Sequence, residues 1–190
     1  YDERENITRT CKRLGCKNRL IEARREGFLD RMAKLVRQHD APVATISYYM
    51  HSFISEAIHA SGYKVAISGT GADEIYLGYY DHSLMWLAAM KDDPEFPRLL
   101  EEWRGGYGAF VNNPNLQDPL AFIKNPAQRS HLTLGCESFK SYLKEPFTEA
   151  FGESEYCREL LRNRMQNELL HEVVPIILAE DDLNSMMFSI

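Results

Sequence analysis

Lys64-Val65-Ala66-Ile67-Ser68-Gly69-Thr70-Gly71-Ala72-Asp73-Glu74 is the stretch on which the reading of this chain turns. Val65, Ala66 and Ile67 form a short unbroken apolar run, the pattern of a parallel strand covered on both faces. Ser68 and two glycines follow, freeing the backbone to turn sharply and to bring N–H groups close to a ligand. Asp73 and Glu74 place two carboxylates just beyond. Ligands of open α/β sheets bind where a strand runs out into such a loop, so the stretch predicts an α/β fold and the position of its site together.

Working outward, the apolar positions Ile46, Tyr49, Met50, Phe53, Ile54, Ala57 and Ile58 recur at helical spacing, and Gly62 closes that helix before the strand. Upstream, residues 2–14 carry Asp2, Glu3 and Glu5 in a first turn and Ile7, Cys11 and Leu14 on one face, with Gly15 as the stop. Leu20 and Ile21 suit a short strand. A second helix presents Phe28, Met32, Leu35 and Val36 and breaks at Asp40-Ala41-Pro42. Downstream, helices are expected over Ala72 to Tyr80, Leu84 to Met90, Arg98 to Trp103, Cys136 to Ala150, Ser154 to His171 and Pro175 to Ile190, with a Pro- and Asn-rich break at Asn112 to Pro126.

Three readings of the loop compete on spacing alone. An acidic residue at a helix start is favoured by the macrodipole in any protein, so the loop can be a plain strand-to-helix turn. A dinucleotide loop would need a third glycine where Glu74 stands, and no G-K-[ST] follows, which excludes a Walker-type loop. In the third reading a carboxylate sits beside a phosphate chain with Mg²⁺ between them. Asp73 would then be the metal ligand, and Ser68 with the amides freed by Gly69 and Gly71 would hold the nucleotide.

Composition narrows the classes. With 44% hydrophobic and 26% charged residues among 190, the chain is an ordinary globular domain, and a net charge of −6 argues against broad nucleic-acid binding. A local basic cluster at Arg24 and Arg25 remains. Cys11, Cys16, Cys136 and Cys157 show no C-x-x-C spacing, which favours free thiols in a reducing cytoplasm over a zinc site or a disulfide scaffold. His51 and His59 lie eight apart without the intervening Glu of a zinc helix and are read as packing or surface residues. No apolar run reaches membrane-spanning length and no signal-peptide pattern opens the chain, so no membrane partner is expected. The first residue is Tyr rather than Met and the last helix stops in mid-pattern, so a piece of a longer protein is expected.

Ser68-Gly69-Thr70-Gly71-Ala72-Asp73-Glu74-Ile75-Tyr76-Leu77-Gly78-Tyr79 resembles the S-G-x-G-A-D-E-[LI]-F-x-G-Y signature of the synthetase domain of glutamine-dependent asparagine synthetases. Asp182-Leu183-Asn184-Ser185-Met186-Met187-Phe188-Ser189-Ile190 is similar to the family's D-R-x-S-M-x-x-S-[IL] helix, with Leu183 in place of Arg. The start, Tyr1 to Gly15, is similar to the helix after the family's second strand. The resemblance implies an ATP-pyrophosphatase-type, adenine-nucleotide alpha-hydrolase-like α/β fold. Residues 1–190 would be a partial synthetase domain, with part of a parallel sheet and the nucleotide loop in 1–90 and a mostly helical half in 91–190. It further implies ATP and Mg²⁺ as cofactors, a small-molecule carboxylate activated as an acyl-adenylate, and glutamine-derived ammonia as the attacking amine. A homodimer is compatible with it. Carried over by position, Ser68, Gly69 and Gly71 would contact ATP and the activated group, Asp73 would bind Mg²⁺, and Thr70 and Glu74 would be the catalytic positions, Glu74 as a helper carboxylate.

Thr70 stands where asparagine synthetases carry Glu, and a hydroxyl does not replace a carboxylate as proton acceptor near neutral pH. That keeps open a related amidotransferase acting on a sugar acid or other small carboxylate, and a non-catalytic interaction module with the same fold. The family's S-G-G-x-D-S and E-x-R-x-P-F-L-D segments do not occur within the 190 residues, so these residues alone are expected neither to bind ATP tightly nor to turn over. Tyr76, Tyr79, Tyr80 and His82 suit a pocket lining but more simply a core. Of the acidic run Glu180, Asp181 and Asp182, the family pattern singles out Asp182 as buried or site-facing, and Met186 and Met187 read as core filler.

Overall fold

The computed structural model describes residues 2–133, 135–145 and 151–190. Ten α-helices run through them in order: α1 (Arg4–Leu14), α2 (Phe28–His39), α3 (Ile46–Ala60), α4 (Ala72–Tyr76), α5 (Tyr80–Ala89), α6 (Phe96–Gly105), α7 (Ala121–Lys124), α8 (Cys136–Lys140), α9 (Leu160–Asn167) and α10 (Val174–Met187). Short 3₁₀ turns lie at Tyr107–Phe110 and Pro114–Leu116, and a π-helical turn, Glu168–Glu172, links α9 to α10. None of these helices is long and apolar enough to cross a membrane.

The expected α/β fold is corrected: the described residues contain no β-strand. Residues 65–69 are irregular, with Val65 80% and Ile67 99% exposed, and Leu20 and Ile21 also lie outside any regular element. A parallel strand exists only through ladder hydrogen bonds to neighbours and cover on both faces. Among the described residues neither segment has a ladder partner, so the apolar run of Val65 to Ile67 stays as exposed chain.

Helix boundaries follow local chemistry more faithfully. Gly15 adopts φ +69° after α1, and the Cys16 N–H donates to the Cys11 carbonyl, satisfying an end that would otherwise be orphaned. Thr45 caps α3, its hydroxyl accepting from the Ser47 N–H. Pro175 stands in the first turn of α10, where its missing N–H costs nothing. The expected helix Ala72 to Tyr80 is interrupted, because Leu77 takes φ +62° and separates α4 from α5. Of the expected helix Cys136 to Ala150, α8 occupies the first residues, and Pro146 to Ala150 lie outside the described residues.

Contacts divide the chain into two compact units, the residues up to Ser68 together with Leu178–Ile190, and Gly69–Ile177. In the first, α2 and α3 bury Leu35, Tyr48, Tyr49 and Ser52. The Arg31 guanidinium lies 3.7 Å over the Phe53 ring and bonds Ser52 and Glu56. The Glu180 carboxylate accepts from the Ala44 N–H at 3.1 Å and lies 3.0 Å from His39, and Asn184 donates to the Tyr48 carbonyl at 3.1 Å. Glu180 is therefore the buried member of the acidic run; Asp182, expected to be buried or site-facing, is exposed rather than buried. Met186 is exposed too, not core filler. In the second unit Leu84, Met85, Leu87, Trp103, Val111, Leu116, Phe122 and Leu161 form one hydrophobic core.

Candidate functional site

In the second unit the glycine loop leads directly into α4. The Ala72 N–H donates to the Gly69 carbonyl at 3.1 Å, and Gly71 is buried with φ +87°, a conformation that a side chain would strain. The helix it starts has five residues and ends at Leu77 in the left-handed region, which costs about 1–2 kcal/mol for a residue with a Cβ. The Gly78 N–H closes the turn on the Asp73 carbonyl at 2.9 Å. This brings Gly78 so close that an added Cβ would lie 2.7 Å from Asp73 Cα and 1.9 Å from Asp73 Oδ1. Gly78→Ala is accordingly expected to destabilise this unit by about 1–3 kcal/mol, read as a lowered thermal midpoint. An unchanged midpoint would contradict the packing.

The two carboxylates of the loop are treated differently. Asp73 is exposed, whereas Glu74 is 2% exposed and accepts a hydrogen bond from the Tyr79 phenol. Burial, together with the bond to Glu74 and its charge, pushes the Tyr79 hydroxyl well above its ordinary range and keeps it a donor. Of the remaining predicted positions, Gly69 is exposed and Thr70 half-buried; Ser68, the last residue of the first unit's opening segment, is exposed. A cavity of about 1020 Å³ in the first unit, lined by Arg19, Arg31, Lys34 and Glu56 among others, includes none of the loop residues.

Beside the loop lies a buried polar network that sequence reasoning missed. His82, fully buried, stacks edge-on against Tyr79 at 5.2 Å, and its Nε2 lies 2.7 Å from Glu168 Oε2. Arg164, 1% exposed, reaches Glu168 at 2.9 Å, Glu172 at 2.7 Å, Glu153 at 3.0 Å and Asp81 at 3.9 Å. Arg129 grips Glu153 with two nitrogens, and His131 lies 3.2 Å from Asp81. Burial works to raise the Asp81 carboxyl, but the His131 bond and the charges of His82, His131 and Arg164 outweigh it and hold the group below its usual range. Glu153 is likewise raised by burial and lowered more by Arg129 and Arg164. Asp81, His82 and Glu168 bring donor atoms within 4.8 Å of one another, the donor set of a divalent ion. The guanidinium of Arg164 already supplies the positive charge there.

One local signal pointed to the network: Arg164 and Glu168 are spaced i, i+4 and meet on one helical face. The His82 that meets Glu168 comes from 86 residues away, a distance at which no spacing rule operates.

A family model described as asparagine synthase matches residues 1–189. The chain is 32% identical over 78 residues, 41% of its length, to the amidase chyE of Penicillium rubens, and 26% identical over 157 residues, 75% of its length, to the amidase chry2 of Gibberella zeae. It spans 12% and 23% of the lengths of these two relatives. No solved structure matches it.

Proposed function

The chain belongs to the asparagine synthase family, and from that premise we propose that it carries part of the synthetase site of an ATP-dependent amide-forming ligase. A carboxylate substrate is adenylated with loss of pyrophosphate, and ammonia derived from glutamine displaces the adenylate to form the amide. The observation that supports this reading best is the loop itself: a Ser-Gly-Thr-Gly turn followed by one exposed and one buried carboxylate.

The two carboxylates divide the work by their surroundings. Mg²⁺ keeps much of its water and takes one or two carboxylates with phosphate oxygens, so it needs a carboxylate open to solvent. Asp73 fits that requirement; Glu74, turned inward onto Tyr79, does not. Bound there, Mg²⁺ would offset the charge of the phosphate chain. Ser68, Gly69 and Gly71 would bind ATP through hydroxyl and backbone N–H donors, Gly71 contributing the left-handed turn that no other residue takes without strain.

Thr70 favours a second reading of the acceptor. Half-buried at the centre of the loop, it offers a hydroxyl where asparagine synthetases carry Glu, and a hydroxyl does not take up the proton lost by the attacking amine near neutral pH; this departure from the aspartate-activating pattern favours a sugar acid or another small carboxylate. The relatives' name, amidase, suggests a third: cleavage of an amide without ATP.

Pyrophosphate release by the full-length protein, with ATP, Mg²⁺, glutamine and a panel of carboxylates, separates these readings. The expected result is release that depends on one carboxylate other than aspartate. Release with aspartate alone would restore asparagine synthesis. Ammonia released from amides without ATP would establish the amidase reading, and no turnover of any kind would leave an interaction module.

A further inference from the structure

We propose that Tyr79 is a positioning residue of this site: by holding Glu74 inside the fold it fixes the loop that carries Asp73. The inference rests on the reading of the loop as a Mg²⁺–ATP site and says how that loop is kept in shape.

A single helical turn has almost no stability of its own, since nucleation is unfavourable and few hydrogen bonds follow it. α4 has five residues, is bounded by Gly71 and Leu77 in the left-handed region, and buries one of them, Glu74. A buried carboxylate is costly unless it is hydrogen-bonded. The Tyr79 phenol supplies that bond, and the Tyr79 ring in turn packs on His82, whose imidazole meets Glu168 and, through it, Arg164. The short helix is thereby tied to the most deeply buried polar residues of the unit. Glu74 at 2% exposure faces the Tyr79 phenol, so its carboxylate bears on the loop through Tyr79 and the backbone.

The test uses Tyr79→Phe and Glu74→Gln in the full-length protein. Phe keeps the ring against His82 and loses the hydroxyl; Gln keeps a carbonyl that accepts from the phenol. Amide hydrogen exchange of Ile75 and Gly78, whose N–H groups bond to the Gly71 and Asp73 carbonyls, reports the loop without reference to any activity. Tyr79→Phe is expected to speed their exchange about tenfold and to raise the KM for Mg·ATP by about tenfold, with kcat within about threefold of wild type, the loss of one hydrogen bond to a charged group. Glu74→Gln is expected to leave the exchange of both amides within about threefold of wild type, since its carbonyl still accepts from the phenol. Unchanged exchange in Tyr79→Phe would overturn the proposal whatever the activity. Exchange sped about tenfold or more in Glu74→Gln, which keeps the acceptor of the phenol, would overturn it as well. If wild type released no pyrophosphate with any carboxylate, the proposed function would fall, while the exchange rates would still decide whether Tyr79 holds the loop.

Discussion

Replacing Arg164 with Met is expected to lower the stability of the Gly69–Ile177 unit by about 3–5 kcal/mol, the cost of leaving buried carboxylates without their cation. Arg164 is 1% exposed and stands among Glu168, Glu172, Glu153 and Asp81, while Arg129 pairs with the carboxylate of Glu153. Methionine fills much of the volume, so the loss measures charge rather than packing. Both tryptophans, Trp86 and Trp103, lie in this unit, and their fluorescence during urea unfolding reports it directly. Lys124→Met is the control: its pair with Asp118 is exposed and is expected to contribute less than about 1 kcal/mol. Equal midpoints for the Arg164 variant and wild type would show that the network is not held by its guanidinium.

The same network sets the direction of the pH dependence. Asp81 and Glu153 have folded-state values depressed below their ordinary 3.8 and 4.5. The unfolded chain therefore binds protons first as pH falls, and the stability these groups contribute, complete above those ordinary values, is lost as pH drops through the folded values. The urea midpoint of wild type is expected to fall as pH drops below about 5, and by less in the Arg164 variant, whose carboxylates have lost one of the cations that depress them.

Asp73→Asn, made in the full-length protein, is expected to reduce pyrophosphate release by about 10²–10³-fold, the usual consequence of removing one electrostatic contact to a reacting phosphate chain. Because Asp73 is exposed, the stability is expected to change by less than about 0.5 kcal/mol, which separates loss of the ion from loss of the fold. Raising Mg²⁺ should recover part of the rate if the amide still offers a weak ligand. Full activity in Asp73→Asn would remove the metal assignment and leave the loop as a turn with an acidic start.

Much of this protein was determined by its sequence alone, and the physical reason is locality. The stop at Gly15, the Thr45 cap and Pro175 in the first turn of α10 each satisfy or spare a helix end through groups a few residues away, so α1 and α3 were legible within a residue or two of their ends and α10 within one residue of its start. Family membership was legible for a related reason: the signature from Ser68 to Tyr79 is contiguous, and its residue types can be read without knowing what surrounds them. Tertiary structure decided everything that depends on neighbours distant in the chain. Val65 to Ile67 has the composition of a strand, yet a strand is a relation between segments, and no ladder partner is present among the described residues. Asp73 and Glu74 are adjacent acids, as are Glu180, Asp181 and Asp182; which of them is buried depends on Tyr79 in one case and on His39 and the Ala44 N–H in the other. The loop named two carboxylates, and only the fold turned one toward solvent and the other toward a phenol.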